Sequence, residues 1–296
     1  MKNLLLVGAT GYLGQHIKQH YENSGWEVTT LGRAASNDIV ADISSHHDIC
    51  TIVLNKIYSR LIHAAAVNEV DICKNFSQTY AVNVTATRLL LELAKNNKIK
   101  EFVYISTFHV YGQSSGCIDE HQRTMPINDY GLTHLLSEEI IIKFSKVNQL
   151  TPLIIRPTNI YGLPVAMAAF NRWSLVPFAF VRSAVGEGKI ELTSSGYQMR
   201  NFVDVKDVVK TTELVGQCLL VNAAGNDNLT IRAFALTIAS ILKERLNLVC
   251  QVSWKDDELK EPESLLVKNR DVQSHCRGDL TQFIADFARA QLHYGK

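Results

Sequence analysis

Lys2–Gly14, KNLLLVGATGYLG, is the stretch that decides the fold class. Lys2 to Val7 is a short apolar run, long enough for a buried strand of a parallel sheet. Gly8-Ala9-Thr10-Gly11-Tyr12-Leu13-Gly14 follows at once, and QHIKQHYENSG then carries a helical pattern up to Gly25. Buried strand, glycine-rich turn and helix N-terminus in that order form the place where an α/β sheet receives a dinucleotide pyrophosphate. In the GxxGxxG spacing, glycines allow a tight turn, close approach of backbone to phosphate, and close packing of helix on strand. Gly8, Thr10, Gly11, Tyr12, Leu13 and Gly14 are therefore the candidate pyrophosphate-binding residues.

Outward from that stretch, apolar runs alternate with helical patterns. Strands are expected at Leu4–Gly8, Glu27–Leu31, Arg60–Ala64, Glu101–Ser106 and Pro152–Arg156, and helices at Gly14–Asn23, Tyr80–Asn96 and Tyr130–Asn148. This rhythm implies parallel βαβ units with right-handed crossovers. After Gly162 the texture changes. Leu163–Glu187, with Pro164, Trp173 and Pro177, reads as a loop-and-helix passage into a second lobe. Asn201–Val209 (NFVDVKDVV) reads as a return to the main sheet. Leu229–Leu246 reads as a helix capped by Thr230, and Lys255–Asp271 as polar and exposed. The expected architecture is α/β, a Rossmann-like doubly wound parallel sheet with a smaller C-terminal substrate-binding lobe. Residues 1–162 form the dinucleotide domain, with a return segment near 196–225, and 163–296 form mainly the lobe.

The bulk properties bound the function. The 296 residues are 46% hydrophobic and 20% charged, with a formal net charge of +1. Near-zero charge and scattered Lys and Arg supply no field for nucleic acid or an acidic membrane as partner. The six cysteines lack CxxC or metal-ligand spacing, so they read as free thiols in a reducing compartment and no metal is expected. The apolar start resembles a signal peptide but is too short and runs straight into the glycine turn, and no stretch reaches the length of a membrane span. The expectation is a soluble cytoplasmic protein.

The second strand of such a sheet ends near the adenosine ribose, where a carboxylate suits NAD and a basic side chain suits the 2′-phosphate of NADP. Here Gly32-Arg33 follows, and the first later acid is Asp38. Arg33 therefore leans the reading to NADP, with NAD as the alternative. Asp42 is placed either to accept from the adenine amine or to serve as an ordinary loop or capping aspartate.

Tyr130-Gly131-Leu132-Thr133-His134 brings a family into view. Taken with GATGYLG (Gly8–Gly14), HAAA (His63–Ala66), YAVN (Tyr80–Asn83), ISTFHVYG (Ile105–Gly112), Ser137-Glu138, RPTNIYG (Arg156–Gly162) and RNFVDVKDVV (Arg200–Val209), it resembles the extended short-chain dehydrogenases/reductases. The branch is that of nucleotide-sugar epimerases, dehydratases and reductases, and the similarity runs through about residues 1 to 240.

The resemblance implies site roles. Tyr130 matches the tyrosine of a YxxxK motif, which exchanges a proton with the substrate oxygen while hydride moves to or from nicotinamide. Thr107 matches the hydroxyl that holds that oxygen. Free tyrosine has a pKa near 10, and a cation one helical turn on stabilises the phenolate. In this chain His134 stands where the family has lysine. It is a protonated substitute, a neutral hydrogen-bonding relay, or the mark of a site that binds cofactor without catalysis; the sequence leaves all three open.

Phe108 and His109 occupy the positions of the Asp-Glu pair of 4,6-dehydratases, which disfavours dehydration, and His109 is a candidate acid/base. Asn159 and Arg200 match positions contacting the substrate diphosphate, and the fork of Arg200 suits phosphate. The alternative for Arg200 is pairing with Asp204 or Asp207. Ala64, Ala65 and Ala66 would line the cofactor, Asn83 would support the site, and His63 reads as a core histidine. The implied function is NAD(P)-dependent reduction of a keto-sugar on a nucleotide. Alternatives are NAD-dependent C4 epimerisation and a weak or inactive NADP-binding regulatory subunit. A homodimer is implied by the resemblance alone.

Overall fold

The computed structural model describes residues 2–255, 264–268 and 278–294. Much of the expected polar stretch Lys255–Asp271 lies outside these residues. The chain divides into two compact units. The first comprises Met1–Gln113, Glu120–Pro157 and Val209–Asn222.

The sheet of the first unit is built from β1 (Asn3–Val7), β2 (Glu27–Gly32), β3 (Ile39–Val40), β4 (Arg60–His63), β5 (Glu101–Ile105), β6 (Thr151–Pro157) and β7 (Leu220–Ala223). These seven strands lie in the spatial order 7-6-5-4-1-2-3. The pairings of β1 with β2 and β4, of β2 with β3, of β4 with β5 and of β5 with β6 are all parallel. This is the Rossmann-like sheet. The chain order reverses between β1 and β4, which opens a crevice at their C-terminal ends. Leu4, Leu5, Leu6 and Val7 are fully buried, as a strand covered on both faces requires.

Three helices matter for the site: α1 (Tyr12–Asn23), α2 (Ala86–Asn96) and α3 (Asp129–Asn148). Asn128 caps α3, its Oδ1 accepting from the Gly131 amide at 2.9 Å. The single helix expected over Tyr80–Asn96 is three pieces: Phe76–Tyr80, a π-helical turn Ala81–Thr85, and α2. Periodicity could not find that break, because a π turn adds one residue without changing composition.

The second unit comprises Ser114–Asp119, Thr158–Val208 and Ala223–Lys296. Its three-stranded sheet sets Met199–Asp204 between Asp227–Thr230 and Asn159–Tyr161. This corrects one expectation: Asn201–Val209 does not return to the main sheet. Phe202 and Val203 are buried in the smaller sheet, Val205, Val208 and Val209 in the helix Val205–Thr211 that follows it, and the main sheet is extended by β7. Helices Val176–Glu187, Ile231–Leu246 and Leu280–Tyr294 supply the remaining core, with Phe178, Phe234 and Phe287 fully buried. Pro177 opens the first of them and Thr230 caps the second, accepting from the Ala233 amide.

Candidate functional site

The glycine turn is shaped by packing at two glycines and by open space at the third. A Cβ on Gly14 would lie 2.0 Å from the carbonyl oxygen of Gly8, so α1 can sit on the end of β1 only if residue 14 has no side chain. Gly8, at φ +90°, would place a Cβ 2.8 Å from the Ala65 amide nitrogen, against the segment that follows β4. Gly11 differs. Its φ of −74° suits any residue, and the nearest atom to a Cβ there is 3.4 Å away. The protein itself therefore does not require a glycine at 11. Gly11 is the N-cap of α1 and offers no side chain to the first-turn amides. Bare amides at a helix start beside open space fit a pyrophosphate. Thr10 and Gly11 are exposed, Leu13 is half-buried and Tyr12 is buried.

Ala64 and Ala65 are half-buried and Ala66 is exposed just past β4. Arg33 is exposed just past β2. Asp38 does not compete for that place: its Oδ2 accepts from both the amide and the hydroxyl of Thr30 at 2.8 Å. Asp42 accepts from the Ser44 amide at 2.9 Å and the Ser44 hydroxyl at 2.7 Å, which is the ordinary loop role.

On the other side of the switch point, Thr107 follows β5 and is 4% exposed. It caps a 3₁₀ turn, its Oγ1 accepting from the His109 amide at 3.2 Å. From α3 come Tyr130 and, one turn on, His134, with ring centroids 4.7 Å apart and nearly perpendicular. The exposed ring of His109 meets Tyr130 edge-on at 5.5 Å. So Thr107, His109, Tyr130 and His134 belong to one neighbourhood of the first unit.

Of the three readings of His134, the protonated one fails on burial. The imidazole is 1% exposed, and its Nδ1 lies 2.8 Å from the hydroxyl of Tyr104 on β5. Desolvation, helped by repulsion from His63 and His109, pushes its pKa down to about 3. It is a neutral ring, and its Nε2 is buried without a hydrogen-bond partner. His63, at the end of β4, is fully buried with both ring nitrogens unpartnered and is pushed by burial to about 3 as well.

A stability prediction follows. Below about pH 6.5 the unfolded chain protonates both histidines and the folded chain does not, so stability falls as pH drops from there toward 3. Each histidine costs about 1.4 kcal/mol per pH unit in that window. Thermal unfolding at stepped pH should show the midpoint falling below about pH 6.5, and His134→Gln should remove a measurable part of that slope. An unchanged slope would mean that His134 takes up its proton while folded.

Three features of the site take their roles from the structure, and of them the sequence reading singles out only Asn83 as a support. Glu138, one turn beyond His134, forms a buried ion pair with Arg156 (Nε to Oε1 3.0 Å, Nη2 to Oε2 2.5 Å) and also accepts from Ser106. Ser106 precedes Thr107, so this pair anchors the end of β5 to α3. Asn83, in the π turn, accepts from the Val67 amide at 2.7 Å and donates to the Thr133 hydroxyl at 3.1 Å, tying the segment after β4 to α3. The third is Tyr104, which reads from sequence as one more apolar strand residue.

In the second unit, Asn159 donates to the carbonyl of Asn201 at 2.9 Å. Arg200 donates to the Met199 carbonyl at 2.9 Å, and burial lowers the pKa of its guanidinium. No pairing of Arg200 with Asp204 or Asp207, the alternative reading, is seen: Asp204 accepts from the Lys206 amide and Asp207 from the Gly278 amide. A half-buried guanidinium with no carboxylate pairing it among the described residues suits an anion.

Among the described residues, no helix is long and apolar enough to cross a membrane, and no group of His, Cys, Asp and Glu could hold a metal ion.

Comparison with known proteins agrees with this geometry. The family model described as NAD dependent epimerase/dehydratase family matches residues 4–218. The UDP-arabinose 4-epimerase 1 of Arabidopsis thaliana is 26% identical over 242 residues, covering 70% of this chain and 58% of that protein. The chain spans 56–63% of the length of the first curated relatives it matches. Among solved structures, MoeE5 in complex with UDP-glucose and NAD superposes with a TM-score of 0.79 at 23% identity, covering 98% of this chain and 99% of that one. RMD from Pseudomonas aeruginosa complexed with NADPH superposes with a TM-score of 0.79 at 19% identity, covering 98% of both chains. At these identities the structures share the fold.

Proposed function

The chain belongs to the NAD dependent epimerase/dehydratase family, and from that premise we propose that it inverts C4 of a nucleotide-linked sugar with a nicotinamide dinucleotide held on the Gly8–Gly14 turn. The observation that carries the reading is the cluster of Tyr130 and a neutral, buried His134 across the switch point from the glycine turn. The resemblance to 4-epimerases at the level of the whole match supports inversion over net reduction.

Gly8, Gly11 and Gly14 with the first amides of α1 would hold the pyrophosphate, and Ala64–Ala66 would line the dinucleotide. When bound, the nicotinamide ring supplies a hydride acceptor and then a hydride donor. The chain's own residues do the rest. Tyr130, in its phenolate form, takes the proton of the sugar hydroxyl to become the phenol and later returns it. Thr107, anchored through Ser106 and Glu138, holds the reacting oxygen by its hydroxyl. His134 acts as a neutral hydrogen-bonding group rather than a fixed charge. Arg200 and Asn159 of the second unit would be the groups for the substrate diphosphate, Arg200 because its guanidinium has no carboxylate partner among the described residues.

Arg33 supports a second reading, reduction of a keto-sugar with NADPH, because an exposed arginine after β2 suits a 2′-phosphate. One experiment separates the two. The purified protein is incubated with UDP-sugars deuterated at C4, with catalytic NAD or NADP. Epimerisation yields the C4 epimer with deuterium retained and no net change in reduced cofactor. Reduction consumes NADPH mole for mole with a keto-sugar and returns no epimer from the 4-hydroxy sugar. If neither occurs while cofactor binds, the protein is a binding module and the proposal fails.

A further inference from the structure

Tyr104 is buried on β5, its hydroxyl 2.8 Å from Nδ1 of His134. The groups facing this pair come from three elements. His63 on β4 packs against Tyr104 with ring centroids 5.4 Å apart, Tyr130 on α3 lies 4.7 Å from the His134 ring, and His109 flanks Tyr130. Ser137, also on α3, is beside Tyr104 but directs its own proton to the carbonyls of Asn83 at 2.7 Å and Thr133 at 3.0 Å. Among the described residues no carboxylate bonds to the imidazole.

A neutral imidazole carries one N–H and one bare nitrogen, and the partner of one nitrogen decides the state of the other. A phenol O–H is the better donor of this pair and a bare imidazole nitrogen the better acceptor. Burial, opposed by the Ser137 hydroxyl, drives the pKa of Tyr104 above that of a free phenol, so its proton stays available to donate.

We infer that Tyr104 is a positioning residue: its hydroxyl donates to Nδ1 of His134 and so places the imidazole proton on Nε2, where it is offered to an oxygen of the bound dinucleotide. Nε2 is the buried atom left without a partner. A buried N–H without an acceptor is destabilising, and a hydroxyl-bearing ligand relieves it on binding. The Tyr104–His134 pair thereby delivers, without charge, a directed N–H one turn from Tyr130. The inference rests on the reading that this face receives the dinucleotide.

The test needs no turnover. Nitrogen-15 spectra of histidine-labelled protein, with His134 assigned through its ring correlations, report which nitrogen carries the proton. The expected result is a bare Nδ1 and a protonated Nε2 near neutral pH, with the Nε2 resonance moving when NAD is added. In Tyr104→Phe the Nδ1 donor is gone, so the two tautomers should mix and the NAD dissociation constant should rise about tenfold, the equivalent of one neutral hydrogen bond. A proton on Nδ1 in the unsubstituted protein overturns the inference, and so does a Tyr104→Phe variant that keeps both the Nε2–H form and wild-type NAD affinity. Neither result touches the proposed reaction, which fails instead if the C4-deuterated sugars are returned unchanged.

Discussion

Tyr130→Phe is expected to lower kcat by about a hundred- to ten-thousand-fold, the range contributed by a positioned acid/base group. The substitution removes one oxygen and leaves the ring, so the contacts of residue 130 with His134 at 4.7 Å and His109 at 5.5 Å survive and the fold is undisturbed. NAD binding, measured by fluorescence quenching, should stay within about threefold of wild type, since no packing is lost. The loss therefore appears in kcat, as expected for an interaction made at the reacting oxygen. A variant that keeps a third or more of its turnover would remove Tyr130 from the chemistry. His109, exposed and edge-on to Tyr130, would then be the next candidate for the acid/base role.

The second large effect lies in the glycine turn. Gly14→Ala puts a methyl group 2.0 Å from the Gly8 carbonyl oxygen and 2.8 Å from its carbon. These are backbone atoms of the turn, and they cannot yield as a side chain does. Either α1 lifts off the end of β1 or the turn opens. Overpacking of this kind costs about 1–3 kcal/mol or more, and the cradle of amides is lost with it. Gly14→Ala should unfold at lower denaturant concentration and bind NAD or NADP at least about a hundredfold more weakly, a loss of about 2.7 kcal/mol. Gly11→Ala is the control. Its backbone is ordinary and its Cβ meets only the Gly8 oxygen, at 3.4 Å. This variant should keep wild-type stability yet lose cofactor affinity, because on the proposed reading the methyl group enters the space of the phosphate. Wild-type affinity in Gly11→Ala would place the dinucleotide elsewhere.

The sheet was legible because parallel strands buried on both faces are written as apolar runs. Leu4–Val7, Leu61-Ile62 and Phe102–Tyr104 are such runs, and all are buried. The caps at Asn128 and Thr230 are local chemistry, and the Thr230 cap was read directly. Asn201–Val209 misled because an apolar run does not say which sheet it joins. The π turn at Ala81–Thr85 was hidden for the corresponding reason: its stability comes from the grip of Asn83 on Val67 and Thr133, residues distant in the chain.

His134 divides what each level of description decides. The sequence by itself determined that an apolar strand runs through a glycine-rich turn into a helix, and that a tyrosine is followed one helical turn later by an imidazole; that this imidazole stands in a lysine's place is what the family resemblance implies. It left three readings of that imidazole standing. The charge of a histidine is set by its distance from water and from other charges, and those distances come from β4, β5 and α3 meeting around it. Only the tertiary structure decided that His134 is buried and neutral, with Nδ1 against Tyr104 and Nε2 still lacking a partner.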